Sequence, residues 1–425
     1  MLLRFSVANY LSIREPQELS LAASTLKDVK TGLIDCTVVP SGKVLPLAVI
    51  YGANASGKSN VVAALRYLRS AVLLSHSRGD PRGGVPRTPF ALDPACAKAP
   101  SIFSIDFVVD GVRYQYGFKA SDDAFDAEWL YAFPKGPRQK LFERKSKKFE
   151  FGRGLKGRNK IISDLTRANS LFLSAAAQND HEQLSKVVSF FRSLHIDTKF
   201  SIGALSASLT LADNEVDNRV IEFLDKIGTG VIDYRRREET TSDDMQVLQR
   251  ELFSVIEKRI KEPLEVPEGF FVKDVVIELA HRGHDGKPVF FDLDHESAGT
   301  RRLLLLLGRI FRVLDEGSVL MIDELDASLH TQACEAVLAL FSSPATNTKG
   351  AQLIATTHDI NLLRAPLLRR DQVWFTEKDD KGATHLYPLT DIRTRKGDNI
   401  RKGYQQGRYG AIPFAGPISD LIATG

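Results

Sequence analysis

The sequence predicts an α/β protein organised around a parallel sheet, and three stretches carry that prediction. Val44 to Tyr51 is an apolar run that leads into the turn Gly52-Ala53-Asn54-Ala55-Ser56-Gly57-Lys58-Ser59 and then a helix-like stretch, Asn60 to Leu74. Ser318 to Ile322 is a second short apolar run, ending in Asp323-Glu324, and Gln352 to Thr357 is a third, ending in His358. Short runs of aliphatic and β-branched residues read as buried parallel strands, whose functional residues emerge at the carboxyl edge of the sheet.

Taken in chain order, residues 1 to 75 supply the first strands, the turn and the helix that follows it. The turn after Tyr51 has the composition of a phosphate-binding loop. Gly52 and Gly57 let the backbone curl, so that N–H groups from Asn54, Ala55, Ser56 and Asn60 can face phosphate oxygens at a helix N-terminus. Lys58 is placed to bridge the β- and γ-phosphates and Ser59 to ligand Mg²⁺, so the pattern predicts a bound nucleoside triphosphate. Arg78 to Pro100 is rich in Gly and Pro and reads as a loop, and Ile102 to Ala120 reads as a hairpin about Asp110-Gly111. Short strands continue from Ala127 to Phe151.

Lys135 to Lys160 is basic, with Lys140, Arg144, Lys145, Lys147, Lys148, Arg153, Lys156, Arg158 and Lys160 outnumbering Glu143 and Glu150. A strand edge kept soluble by lysine is the plainer reading, and a nucleic-acid or partner patch is the sharper one. Ser170 to Asn179 is an apolar run that includes Gln178. From His181 to Glu268 the pattern is mostly helical, as in Asn218 to Lys226 and Asp244 to Lys261, with a polar break at Arg235 to Ser242. Ser297-Ala298-Gly299-Thr300 precedes a helix from Arg301 to Leu314, where a hydroxyl and free N–H groups can face an anion or simply cap the helix. After the acidic pair, Asp323 is suited to hold Mg²⁺ and Glu324 to polarise water. His358 can contact a γ-phosphate from its strand end. Strands at Gln372 to Thr376 and Thr384 to Leu389 precede a basic tail, in which Gly403 to Pro413 offers glycines and aromatics for self-assembly or docking.

These motifs, in this order and spacing from residue 1 to about 360, resemble the ABC-type ATPases, specifically their SMC, RecF and OLD-like branch. In that resemblance Ser297 to Thr300 is the signature, with Ala298 where the family usually has Gly. Leu325-Asp326-Ala327-Ser328-Leu329-His330 is the D-loop and His358 the switch histidine. Gln178 would take the Q-loop position and touch Mg²⁺, and Asp326 with Ser297 and Gly299 would join the nucleotide site. The resemblance implies an ABC-type phosphate-loop fold with an antiparallel β subdomain and a short helical insertion. The expected segments are 1–180, 181–268 for the insertion, 269–390, and 391–425 for the tail. It further implies a homodimer or higher homo-oligomer that completes its ATP sites between protomers. The short insertion, without sustained heptads, sets the chain apart from chromosome-spanning SMC arms. Stand-alone ATPase subunits of bacterial anti-phage systems of the AbiL and PARIS kinds are similar in size and plan. That likeness implies a separately encoded effector, a nuclease, as partner. The alternative is a RecF-like ATPase that binds nucleic acid directly.

Composition agrees with a cytoplasmic machine of two lobes: 425 residues, 43% hydrophobic and 26% charged, with a net charge of +4. No apolar run approaches membrane-spanning length, and the isolated Cys36, Cys96 and Cys334 read as reduced thiols. Asp292-Leu293-Asp294 reads as part of the strand before the signature rather than a nuclease metal site.

Overall fold

A computed structural model describes residues 1–26, 28, 32–197, 216–240, 247, 251, 273–364, 368–395 and 397–411. The chain divides into two compact units. One comprises Met1–Lys199, Val313–Ala327 and Thr331–Gly425, and the other Phe200–Arg312 and Ser328–His330.

The larger unit opens with β1 (Leu2–Ala8), β2 (Gln17–Ser20), β3 (Ile34–Asp35), β4 (Lys43–Val44), β5 (Leu47–Gly52) and α1 (Lys58–Leu74). It continues through α2 (Pro94–Lys98), β6 (Ser101–Val109), β7 (Val112–Ala120), β8 (Phe125–Phe133), β9 (Gln139–Lys145) and β10 (Lys148–Phe151). The helices α3 (Asn159–Leu165), α4 (Phe172–Gln178) and α5 (Glu182–Arg192) then lead to β11 (Leu194–Asp197). The smaller unit holds α6 (Asn218–Lys226), β12 (Val231–Thr240), β13 (Lys273–Arg282), β14 (Pro288–Asp292) and the first part of α7 (Ala298–Glu316). The chain returns to the larger unit for β15 (Val319–Ile322), α8 (Thr331–Ser342), β16 (Gln352–Thr356), β17 (Val373–Lys378), β18 (Thr384–Pro388) and α9 (Ile400–Gln405).

Two sheets organise the larger unit. The six-stranded one runs β11-β15-β16-β5-β17-β18, parallel except for its last pair. Its central strands β5, β15 and β16 are buried along their whole length, which is why they appear in the sequence as unbroken apolar runs. The seven-stranded sheet, β10-β9-β8-β7-β6-β1-β2, is antiparallel. The β6–β7 hairpin turns at Asp110 and Gly111, both at positive φ (49° and 73°), the backbone that a two-residue turn demands. Aromatic packing fastens α5 to this sheet: Phe107 stacks on Phe190 with centroids 4.2 Å apart, and Tyr116 meets Phe191 edge-on at 5.6 Å.

The structure departs from the expected helical insertion at two places. Residues 182–192 form α5 of the larger unit, and 194–197 form the edge strand of its parallel sheet, paired with β15. The polar break expected at Arg235 to Ser242 falls instead largely in β12, which pairs with β13. A polar strand of this kind is held by cross-strand charge: Arg235 donates to both carboxylate oxygens of Glu278, and its guanidinium lies over the Phe290 ring. The helix at Asn218 to Lys226 is present as α6. Of the helical stretch expected at Asp244 to Lys261, only 247 and 251 lie within the described residues, and both are helical.

The described part of the tail is a folded segment that includes α9. Tyr404 and Tyr409 are buried rather than displayed, with the Tyr404 ring stacked on Phe375 at 5.4 Å and near Tyr51 at 6.3 Å. Those rings complete the core behind β5 and β17. Residues beyond 411, Pro413 included, lie outside the described residues.

Candidate functional site

The turn after β5 owes its shape to two glycines that no other residue could replace. A Cβ on Gly52 would lie 2.5 Å from the Thr376 carbonyl oxygen and 2.6 Å from Ser56 Oγ. Gly57 sits at φ 108°, and a Cβ there would lie 2.1 Å from Thr384 Oγ1. Ala55 also takes positive φ, 62°. The chain thus curls tightly and enters α1 at Lys58, leaving Asn54, Ala55 and Ser59 exposed. Lys58 itself is buried, and its ammonium donates to the Gly52 carbonyl at 2.7 Å and the Ala53 carbonyl at 2.9 Å. Burial lowers its pKa to about 8, against the opposing pull of Asp323, Glu324 and Asp326. The Asn60 side chain is engaged elsewhere, donating to Ser12 Oγ at 2.5 Å.

At the neighbouring strand ends, Thr356 Oγ1 donates to Asp323 Oδ1 at 2.6 Å and accepts the Glu324 N–H at 2.7 Å. Glu324 is partly buried, with φ at 53°, a left-handed conformation uncommon for residues with a Cβ. Asp326 accepts the backbone N–H of His358 on both carboxylate oxygens at 3.2 Å. The His358 ring is exposed. The larger unit therefore brings Lys58, Asp323, Glu324 and Asp326 within electrostatic reach of one another, with His358 tied to Asp326.

In the smaller unit, Ser297 Oγ accepts the Thr300 N–H at 3.0 Å and meets Thr300 Oγ1 at 2.9 Å, so it caps α7. A Cβ on Gly299 would lie 2.7 Å from the Ser328 carbonyl oxygen, so glycine permits the close approach of these two segments. Ser328 is itself at positive φ, 61°. The pair His281 Nε2 and Glu296 Oε1, 2.7 Å apart, fastens the residue before Ser297 to β13. Of the stretch expected to belong to the strand, Asp292 closes β14, while Leu293 and Asp294 lie in the short turn after it.

Gln178 is the last residue of α4 and is exposed. Sequence reasoning missed what fixes this helix. Glu128, wholly buried on β8, accepts the N–H groups of Phe172 and Leu173 at 2.6 and 2.9 Å and the Tyr116 hydroxyl at 2.9 Å. Arg144, counted in the basic stretch, is buried beside it and donates to the carbonyls of Ser146, Arg167, Ala168 and Ser170. It is therefore not part of any cationic surface. Sequence reasoning also missed the threonines beneath the phosphate loop. Thr376 Oγ1 lies 2.6 Å from Ser56 Oγ, and Thr384 Oγ1 donates to the Ser56 carbonyl at 2.9 Å and pairs with Ser12 Oγ at 2.7 Å. Neither Val373–Lys378 nor Thr384–Pro388 carries a local pattern that singles them out.

A phosphate loop after a central parallel strand, an acidic pair after the second strand over and a histidine after the strand between them define a phosphate-loop nucleotide-binding fold of ABC type. The chain belongs to the family described as "AAA domain, putative AbiEii toxin, Type IV TA system", whose model matches residues 47–364. Among solved structures, the SMC head domain from Thermotoga maritima is similar to it. That match has 15% sequence identity and a TM-score of 0.41, covering 91% of this chain and 98% of that one. No curated protein matches the chain. Among the described residues no helix is long and apolar enough to cross a membrane.

Proposed function

We propose that the chain is a Mg²⁺-dependent ATPase whose ATP-driven dimerisation acts as a switch on a separately encoded effector, a nuclease, in bacterial anti-phage defence. The observation that carries the ATPase reading is Lys58, buried within the field of Asp323 and Glu324 at the mouth of the glycine turn. The residues fit the groups implied. The loop ends at the N-terminus of a 17-residue helix, which favours phosphate, and Ser59 and Asp323 offer the hard oxygen ligands that Mg²⁺ prefers. The family description, with its toxin and Type IV TA system, supports the defence reading.

Mg²⁺ held there supplies charge neutralisation for the phosphates. Lys58 would leave its loop carbonyls for the β- and γ-phosphate oxygens, and Glu324 would orient and polarise the attacking water. His358 would report the γ-phosphate, with Asp326 holding its backbone. Gln178 would reach the metal and the water from the end of α4. Ser297 and Gly299 of one protomer would close on the phosphates held by Lys58 of the other, which makes binding a dimerisation signal.

Lys58→Ala should abolish ATP binding, and Glu324→Gln should keep binding while stalling hydrolysis. A Glu324→Gln protein with near-normal turnover would remove Glu324 from this role. The RecF-like alternative draws support from the exposed cations Lys145, Lys147, Lys148, Arg153 and Lys156 about the β9–β10 edge. DNA-stimulated turnover with a steep salt dependence would favour it over the effector switch.

A further inference from the structure

Thr356 ends β16, the strand between the phosphate-loop strand β5 and the acid-bearing strand β15. Register sets Ala355 across from Ile322 and Thr356 across from Ile50, so Thr356 lies at the carboxyl edge between the two halves of the site. Its side chain is wholly buried. A backbone N–H can only donate, so the hydroxyl must act as acceptor toward Glu324, and its single proton is left for Asp323 Oδ1. That arrangement makes Asp323 Oδ1 an acceptor and ties the carboxylate to the end of β16. The Thr356 carbonyl adds a further tie, accepting the Leu325 N–H at 2.9 Å. Glu324, held between these bonds, keeps the left-handed backbone that an unsupported residue would leave.

We infer that Thr356 is a positioning residue: one hydroxyl sets both acids, Asp323 for its cation and Glu324 for the attacking water. The inference rests on the Mg²⁺-ATPase reading and gives a role to a residue that the sequence places only in the strand before His358. Valine at this position keeps the β-branch and nearly the volume but removes the hydroxyl that accepts the Glu324 N–H and donates to Asp323 Oδ1. Serine keeps the hydroxyl and loses only a methyl group.

The test compares full-length wild type, Thr356→Val and Thr356→Ser. The quantities measured are kcat for ATP hydrolysis, the Kd of a fluorescent ATP analogue, the Mg²⁺ concentration that half-saturates its binding, and Tm. Thr356→Val should lower kcat by about tenfold or more and raise the half-saturating Mg²⁺ severalfold, with Kd at saturating Mg²⁺ within about threefold of wild type. Thr356→Ser should stay within about threefold of wild type in every measure. A Thr356→Val protein with wild-type turnover and wild-type Mg²⁺ dependence overturns the inference. So does equal loss in both variants, which would mark a packing role. If wild type itself turns over no ATP, the ATPase reading falls on its own account. The Mg²⁺ half-saturation then decides for Thr356: a shift in the valine variant alone supports it, and no shift overturns it.

Discussion

At the scale of single residues, the phosphate loop was legible because its motif encodes backbone geometry. Gly52 and Gly57 stand where a Cβ would collide with Thr376 and Thr384, and Gly57 also needs positive φ. Gly57→Ala should therefore distort the loop at a cost of about 1–3 kcal/mol in backbone strain, before the collision is added. Calorimetric titration with ATP should show lost binding in a protein whose circular dichroism is unchanged. Unaltered affinity would mean that the turn tolerates a side chain where the geometry forbids one. The colliding partners were not legible. Thr376 and Thr384 lie 320 and 328 residues from Ser56, and no local pattern marks a strand threonine as the floor of a distant loop. The same holds for Thr356, whose value comes from pairing three strands rather than from its neighbours in the chain.

At the scale of elements, the strands and helices that bury a continuous apolar face were the readable ones. Those held by charge were not, as β12 shows: its Arg- and Glu-rich sequence looks like a break until Glu278 supplies the partner for Arg235. Helix α4 depends on a similar hidden contact, since Glu128 satisfies two of its N-terminal N–H groups from the antiparallel sheet. Glu128→Ala would leave those groups, the Tyr116 hydroxyl and Arg144 without it, and should cost about 3 kcal/mol in denaturant unfolding. A loss below about 0.5 kcal/mol would show that this anchor is dispensable.

Burial raises the Glu128 carboxyl above the ordinary carboxylate range, outweighing Arg144 and the N–H donors. The folded chain thus holds that proton more tightly than the unfolded chain, whose Glu titrates near about 4.3. The stability from this group is complete below that pH and is lost as pH rises through the folded value. Glu128→Gln removes the titration, so the stability of wild type minus that of the variant should fall from pH 4 toward neutrality, about 1.4 kcal/mol per unit of raised pKa. A flat difference would contradict burial as the governing cause.

At the scale of the whole molecule, the central claim is that nucleotide joins two copies of this chain. Ser297→Arg should disable the signature and Lys58→Ala the phosphate loop, yet a mixture of the two should recover part of the activity through one intact interface. The most direct measurement is molar mass by light scattering for Glu324→Gln and Lys58→Ala, each with and without Mg²⁺ and ATP. The account predicts that Glu324→Gln doubles in mass only when Mg²⁺ and ATP are both present, and that Lys58→Ala never changes. A Glu324→Gln protein that binds ATP yet keeps one mass in every condition would contradict it.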